Sequence, residues 1–277
     1  MGWEIRCFSM PYIRNIFTWE SWQNWISFPM KIQRVCHLSW ICFYDVDTKK
    51  ERNGYMDQKR LTVCRILDQI SGKPKHSYYA EKLDVGYQPE ILNFENTYLS
   101  GYWQCEKYFI DFRQEVLDLF QFPDQQINLA SRNLQEQMRR EQAVAVHVRR
   151  GDYLLPENSR KYGNICTLQY YKNAMQYMKK KVPDAKFYFF SNDSEWVRKN
   201  LANGDSVIVD CNHGKENYLD MYLMSQCSHN IIANSSFSWW GAWLNQNPDK
   251  IVISPQRWFS HLDASDAICE DWVRVNG

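Results

Sequence analysis

Three short stretches of this sequence combine residue types suited to holding a diphosphate. The first, His147-Val148-Arg149-Arg150-Gly151-Asp152-Tyr153, closes an apolar run with two arginines and a glycine. In an extended strand, alternation sends His147 and Arg149 to one side and Arg150 to the other. A guanidinium at Arg149 can fork onto a diphosphate bidentately, which an ammonium does less well. The same residues would also serve as an internal ion pair of Arg149 or Arg150 with Asp152. The second stretch, Ser191-Asn192-Asp193-Ser194, stands before Glu195-Trp196, and helix capping by Asp193 or Ser194 accounts for it. The third is Asn234-Ser235-Ser236-Phe237-Ser238. Small hydroxylic residues at a helix start bring free N–H groups and the positive dipole end together, which makes an anion site or simply a cap. Asp220 lies near the start of another helix. Its carboxylate could accept from a guanine N1–H and N2–H pair, or only stabilise that helix end.

Competing chemistries lack their motifs. Neither G-x-x-x-x-G-K nor G-x-G-x-x-G occurs, so phosphate-loop hydrolysis and dinucleotide redox chemistry have no support. No G-x-S-x-G elbow is present for a serine hydrolase. A single D-x-D, Asp45-Val46-Asp47, could hold a divalent ion on a diphosphate, but three residues in a charged stretch are weak evidence.

The elements that would position these residues follow an alternating pattern. Ala143 to Val148 is a continuous apolar run of the kind buried on both faces of a parallel sheet. Helices are expected over 104–121, with Tyr108, Phe112, Val116 and Phe120 spaced by four, and over 127–140. Beyond 148, helices at 167–181, 194–201, 216–227 and 236–244 alternate with strands at 186–190, 206–209, 230–233 and 250–253. Such alternation specifies βαβ units and a parallel sheet, in which ligands sit outside the carboxyl ends of the strands. Lys179, Lys180 and Lys181 close one helix, where positive charge suits the dipole.

Composition bounds the rest. The 277 residues suit one large α/β domain or two lobes, and 44% hydrophobic with 23% charged residues is globular usage. A net charge of +1 gives no drive towards nucleic acid. The longest apolar runs fall far short of the roughly 18–20 residues that span a bilayer. Nine cysteines without a C-x-x-C pair suggest reduced thiols rather than a zinc ribbon or redox motif. No apolar leader follows Arg6, because Glu4, Arg14 and Glu20 interrupt, so a cytoplasmic protein is expected. The opening 44 residues hold five of the twelve tryptophans (Trp3, Trp19, Trp22, Trp25 and Trp40) with no clean period. They read as a docking surface or as a loosely packed terminus, with peripheral contact at the inner membrane face left open. Residues 45–89 are polar, around a short helix near 61–70.

The long motifs are those of a known family. His147-Val-Arg-Arg-Gly-Asp-Tyr153, Ile232-Ala-Asn-Ser-Ser-Phe-Ser-Trp-Trp-Gly-Ala-Trp243 and Ile253-Ser-Pro-Gln-Arg-Trp-Phe259 closely resemble glycosyltransferase family 11 of the bacterial type, the α-1,2-fucosyltransferases. Leu99-Ser-Gly-Tyr-Trp-Gln104, Ser191-Asn-Asp193 and Cys269-Glu-Asp-Trp272 add to the resemblance, which runs from about Tyr87 to Val275. It implies an α/β, GT-B-like fold with two Rossmann-type lobes and parallel sheets. It also implies donor binding by the C-terminal lobe, GDP-fucose as donor, a galactose-terminated glycan as acceptor, and neither metal nor other cofactor. The corresponding division is an atypical segment 1–44, an acceptor-side lobe remnant over 45–140, and a donor lobe over 141–277. Carried over by motif, His147 and Arg149 contact GDP and activate the donor, with Arg149 on the β-phosphate. Asp152 travels with that motif, Asp220 reads guanine, and Ser235, Ser236 and Phe237 hold phosphate and nucleotide. The family's opening Gly-Gly-Leu-Gly-Asn-Gln-Met-Phe loop has no counterpart in this sequence. The N-terminal lobe is therefore expected to be atypical or incomplete. Two readings follow: transfer of L-fucose to the galactose 2-hydroxyl with inversion, or binding of GDP or GDP-fucose with impaired turnover.

Overall fold

A computed structural model describes residues 77–82, 86–93, 97–100, 103–262 and 265–277. The Trp-rich opening, the helix expected near 61–70 and the Asp45-Val46-Asp47 motif lie outside the described residues. The chain divides into two compact units, Met1–Leu119 and Phe120–Gly277.

In the first unit, β1 (Ser77–Ala80) and β2 (Thr97–Ser100) pair in parallel. The helix expected over 104–121 forms as two 3-10 turns, Glu106–Tyr108 and Ile110–Phe112, and then α1 (Arg113–Leu119). The cause is local: Tyr108 and Phe109 are both buried, and successive α-helical side chains, about 100° apart, do not share one face. Phe109 instead leaves helical geometry at φ −146°, ψ 7° and turns inward. Trp103, from the Leu99–Gln104 motif, holds a left-handed φ of 49° while fully buried against Tyr79 and Tyr108.

The second unit is an α/β layer. Its strands are β3 (Gln142–Val148), β4 (Ala185–Ser191), β5 (Val207–Val209), β6 (His229–Ile231), β7 (Val252–Pro255) and β8 (Val273–Val275). They form one six-stranded sheet in the order β5-β4-β3-β6-β7-β8, parallel throughout. The helices are α2 (Leu129–Arg139), α3 (Pro156–Tyr162), α4 (Leu168–Lys181), α5 (Ser194–Asn200), α6 (Tyr218–Gln226) and α7 (Ser236–Trp243). The expected alternation is present. The sequence pattern did not announce α3 or β8. The second unit starts at Phe120, and α2 lies within it.

Burial explains the order of the strands. Ala143 through Val148 are buried on both faces, which puts β3 at the centre. Val144, Val146 and Val148 meet Tyr170, Tyr171, Ala174 and Met178 of α4, with Phe187 and Phe189 of β4 beside them. Each such side chain contributes roughly 1.5–3 kcal/mol on burial. The sheet turns at one place: from β3 the chain builds outward to β4 and β5, then returns to β6 on the other side of β3. That reversal between β3 and β6 is the topological switch point, where open parallel sheets bind ligands.

Candidate active site

The two strands that flank the switch point carry the first and third sequence motifs at their carboxyl ends. β3 delivers His147, Arg149 and Arg150, and the segment after β6 delivers Asn234 to Phe237. No Gly-rich phosphate loop follows β3. An arginine pair and a tight turn stand there instead.

The turn separates the two arginines. Arg150 folds back: its Nε lies 3.0 Å from Asp193 Oδ2, and its guanidinium sits 4.1 Å from the Trp196 ring centre. Its backbone N–H donates to Asn192 Oδ1 at 3.1 Å. The internal ion pair thus involves Arg150, and its partner is Asp193 of the second motif. Asp193 also caps α5, accepting from Trp196 N, as expected. Arg149 points the other way and lies 5.5 Å from the Tyr153 ring. The Tyr153 hydroxyl donates to the Asn234 carbonyl at 3.0 Å, so one tyrosine ties the Arg149 turn to the segment after β6. Gly151 takes φ +32°, and a Cβ there would collide with the Asn192 amide. Gly151→Ala should therefore displace Asn192 from the Arg150 N–H and force an L-residue into a left-handed conformation, at a cost of about 1–2 kcal/mol. Urea denaturation that finds no loss of stability in this variant would contradict the account.

His147 is buried, with its ring 5.7 Å from Phe237, so the first and third motifs meet directly. Its backbone carbonyl accepts from the Tyr171 hydroxyl at 3.2 Å. Burial, with the neighbouring Arg149 charge second, pushes its pKa down to about 3. The imidazole is neutral at any physiological pH, and its buried Nδ1 has no hydrogen-bond partner among the described residues. A group this weakly basic is a hydrogen-bonding partner for a ligand and a poor general base.

Ser235 occupies the N-cap of α7 without making a side-chain cap bond. Asn128, Thr167 and Asp193, at the starts of α2, α4 and α5, each accept a first-turn N–H. At α7 the first-turn amides are thus not taken up by a capping side chain, which suits an anion. The helix is rigidly held. Ser238 donates to the Ala233 and Ser235 carbonyls at 3.2 Å, and Trp239 Nε1 donates to the Ala267 carbonyl at 2.7 Å. Lys250 Nζ donates to the Ala242 and Asn245 carbonyls at the far end, at 2.8 and 2.7 Å. Asn234 is likewise fixed, its Nδ2 donating to the Tyr162 and Trp258 carbonyls at 3.1 Å.

Asp220 stands in the first turn of α6 and forms a separate polar group. Its Oδ1 accepts from Asn212 Nδ2 at 2.8 Å. Burial raises its pKa to about 7, against the lowering effect of that hydrogen bond. Asp152 lies in the 3-10 turn Gly151–Leu154, and its side chain is outside the described residues. The structure therefore brings His147, Arg149, Ser235 and Phe237 around the switch point, with Ser236 opening α7. Tyr153, Asn192 and Asn212 are the contributors that sequence reasoning missed. The first two lie inside the quoted motifs. Asn212 follows the end of β5, where the strand-end rule would have found it.

The second unit is thus a parallel α/β sheet whose switch point carries Arg149 and the start of α7, the place where open parallel sheets hold ligands. The sequence matches the model of Glycosyl transferase family 11 over residues 80–276, and the chain belongs to that family. It is 38% identical to an alpha-1,2-colitosyltransferase of Escherichia coli over 217 residues, 76% of this chain and 74% of that protein. It is 31% identical to the O-antigen biosynthesis glycosyltransferase WbnK of Escherichia coli, over 85% of this chain and 82% of that protein. A galactoside alpha-(1,2)-fucosyltransferase 1 of Ateles belzebuth is 30% identical over 140 residues, 48% of this chain and 38% of that protein. No helix among the described residues is long and apolar enough to cross a membrane.

Proposed function

We propose that this glycosyltransferase moves L-fucose from GDP-fucose to the 2-hydroxyl of a terminal galactose with inversion, forming an α-1,2 linkage in surface-glycan synthesis. The observation that carries this reading is the meeting of His147, Arg149 and the uncapped start of α7 at the switch point. In the reaction the bond from the fucosyl C1 to the diphosphate oxygen breaks, and the leaving oxygen keeps the electron pair. Arg149 and the α7 amides stabilise the charge that develops there. The acceptor hydroxyl oxygen attacks the opposite face of an oxocarbenium-like sugar and releases its proton to water late, as the new C1–O bond forms, which inverts the anomeric centre. His147 contributes a neutral hydrogen bond to GDP, while Asp152, Ser235, Ser236 and Phe237 belong to the substrate-binding set that holds phosphate and nucleotide, and Asp220 reads guanine. No metal or other cofactor takes part. The location that goes with this donor is the cytoplasm.

The names of the relatives divide between fucosyl and colitosyl transfer, two sugars that differ at the 3-hydroxyl, so the test uses both GDP-linked donors with β-galactoside acceptors. Release of GDP that depends on both a fucosyl donor and the acceptor is the expected result. Release only with the colitosyl donor would reassign the sugar, and GDP binding with no transfer would favour the binding-only reading. With Arg149 and the α7 start supplying the electrostatics, GDP should bind in EDTA with an affinity that Mg²⁺ or Mn²⁺ changes little. Strict dependence on a divalent ion, lost in an Asp45→Asn, Asp47→Asn variant, would revive the D-x-D alternative.

A further inference from the structure

The polar group around Asp220 is built from three separate parts of the chain. Asn212 Oδ1 accepts from Asn128 Nδ2 at 2.9 Å and from Ser131 Oγ at 3.0 Å, both at the start of α2. With its oxygen facing two donors, the Asn212 amide has one satisfactory orientation, and that orientation aims Nδ2 at Asp220. Asn128 is fixed in turn, because its own Oδ1 caps α2 through Ser131 N at 2.8 Å. Asn212 is buried, so none of these bonds is readily exchanged for water. Asp220 Oδ2, by contrast, has no hydrogen-bond partner among the described residues. The arrangement spends one carboxylate oxygen on the protein and keeps the other for a ligand.

We propose that Asn212 is a positioning residue for base recognition, locked by Asn128 and Ser131 so that it holds Asp220 Oδ1 and leaves Oδ2 aimed at the nucleobase. This inference rests on the reading of Asp220 as the guanine contact. Asn212 also favours the ionised carboxylate, since its N–H donates to it. The other groups around Asp220 are Asp210, Cys211 and His213 on the segment after β5, and Glu216, whose Oε2 lies 3.3 Å from Asn128 Nδ2. Asp210 opposes ionisation of Asp220 and His213 favours it, so removing Asn212 leaves the carboxylate without its hydrogen-bonded support.

Two calorimetric readouts separate positioning from mere stability. The first is the ratio of GDP to inosine diphosphate affinity, because inosine lacks the 2-amino group. The second is the pH profile of GDP-fucose binding, because that donor has no phosphate ionising near neutrality. For Asn212→Ala, GDP should bind roughly tenfold more weakly, the loss of one hydrogen bond to a charged group. The preference for GDP over inosine diphosphate should shrink, and the pH below which GDP-fucose binding fails should move upward. Ser131→Ala, which removes one of the two donors to Asn212, should shift the same quantities in the same direction by less. An unchanged ratio and pH profile in a folded Asn212→Ala protein, with Asp220→Asn still losing GDP, would overturn the proposal and leave the Asp220 reading intact. If Asp220→Asn itself keeps wild-type GDP affinity and selectivity, the base reading falls, and this inference falls with it. If Asn212→Ala does not fold, Ser131→Ala carries the test on the same two readouts, and no change there overturns the proposal.

Discussion

Arg149→Ala should lose measurable GDP binding while the protein stays folded. Arg149 leaves the end of β3 at the switch point, beside buried His147 and over the Tyr153 ring. Truncating one member of a buried charged pair costs about 2–5 kcal/mol, equivalent to roughly 30- to several-thousand-fold in affinity. Arg149→Lys should recover little, because an ammonium does not reproduce the planar fork. The neighbouring arginine is the internal control. Arg150→Ala removes the ion pair with Asp193 and the contact with Trp196. Both partners are partly exposed, so the effect should be a stability loss of about 0–1 kcal/mol with GDP affinity nearly unchanged. Calorimetry that ranks the two the other way would exchange their roles, and near-normal affinity in Arg149→Ala would remove the diphosphate assignment.

The division of labour between the two arginines shows what was legible beforehand. The expectation that strand alternation parts them does not apply as stated, because β3 ends at Val148 and the turn beyond it sends Arg150 to Asp193 and Arg149 to Tyr153. Their partners were not legible, because the partner of Arg150 lies on β4's exit, 43 residues further on. Pattern and burial located the helices and strands of the second unit apart from α3 and β8. Periodicity failed at 104–112, where two adjacent aromatics both turn inward and break the period. The switch point was within reach but unassigned. The order of strands in a sheet is a tertiary fact, and only that order shows that the His147 and Ser235 motifs flank the same crevice. Asp220 marks the opposite limit: its place at a helix start was readable, but the Asn212, Asn128 and Ser131 bonds that hold it join residues up to 84 positions apart.

Asp220→Asn should make the protein more stable and worse at binding. Burial raises this carboxyl from 3.8 to about 7, so the folded state holds its proton more tightly than the unfolded state does. The sign follows from linkage: between roughly pH 4 and pH 7 the folded protein binds more protons than the unfolded chain, and stability falls as pH rises. Above about pH 7 the buried charge is fully present and its cost is constant. An asparagine carries no charge, and its side-chain oxygen can still accept from Asn212 Nδ2. The difference in melting temperature between Asp220→Asn and the parent should therefore widen from pH 4 to pH 7 and then level off. Over the same range GDP binding should weaken by about tenfold to a hundredfold at neutral pH, since an amide N–H faces base donors where a carboxylate accepted them. A carboxylate kept only to stabilise the start of α6 behaves oppositely, because its ionised form favours the helix end and the substitution lowers the melting temperature above pH 7. Loss of stability without loss of GDP selectivity would assign Asp220 to the fold. Gain of stability with loss of selectivity assigns it to the nucleotide, at a position where function is maintained against the interest of the folded state.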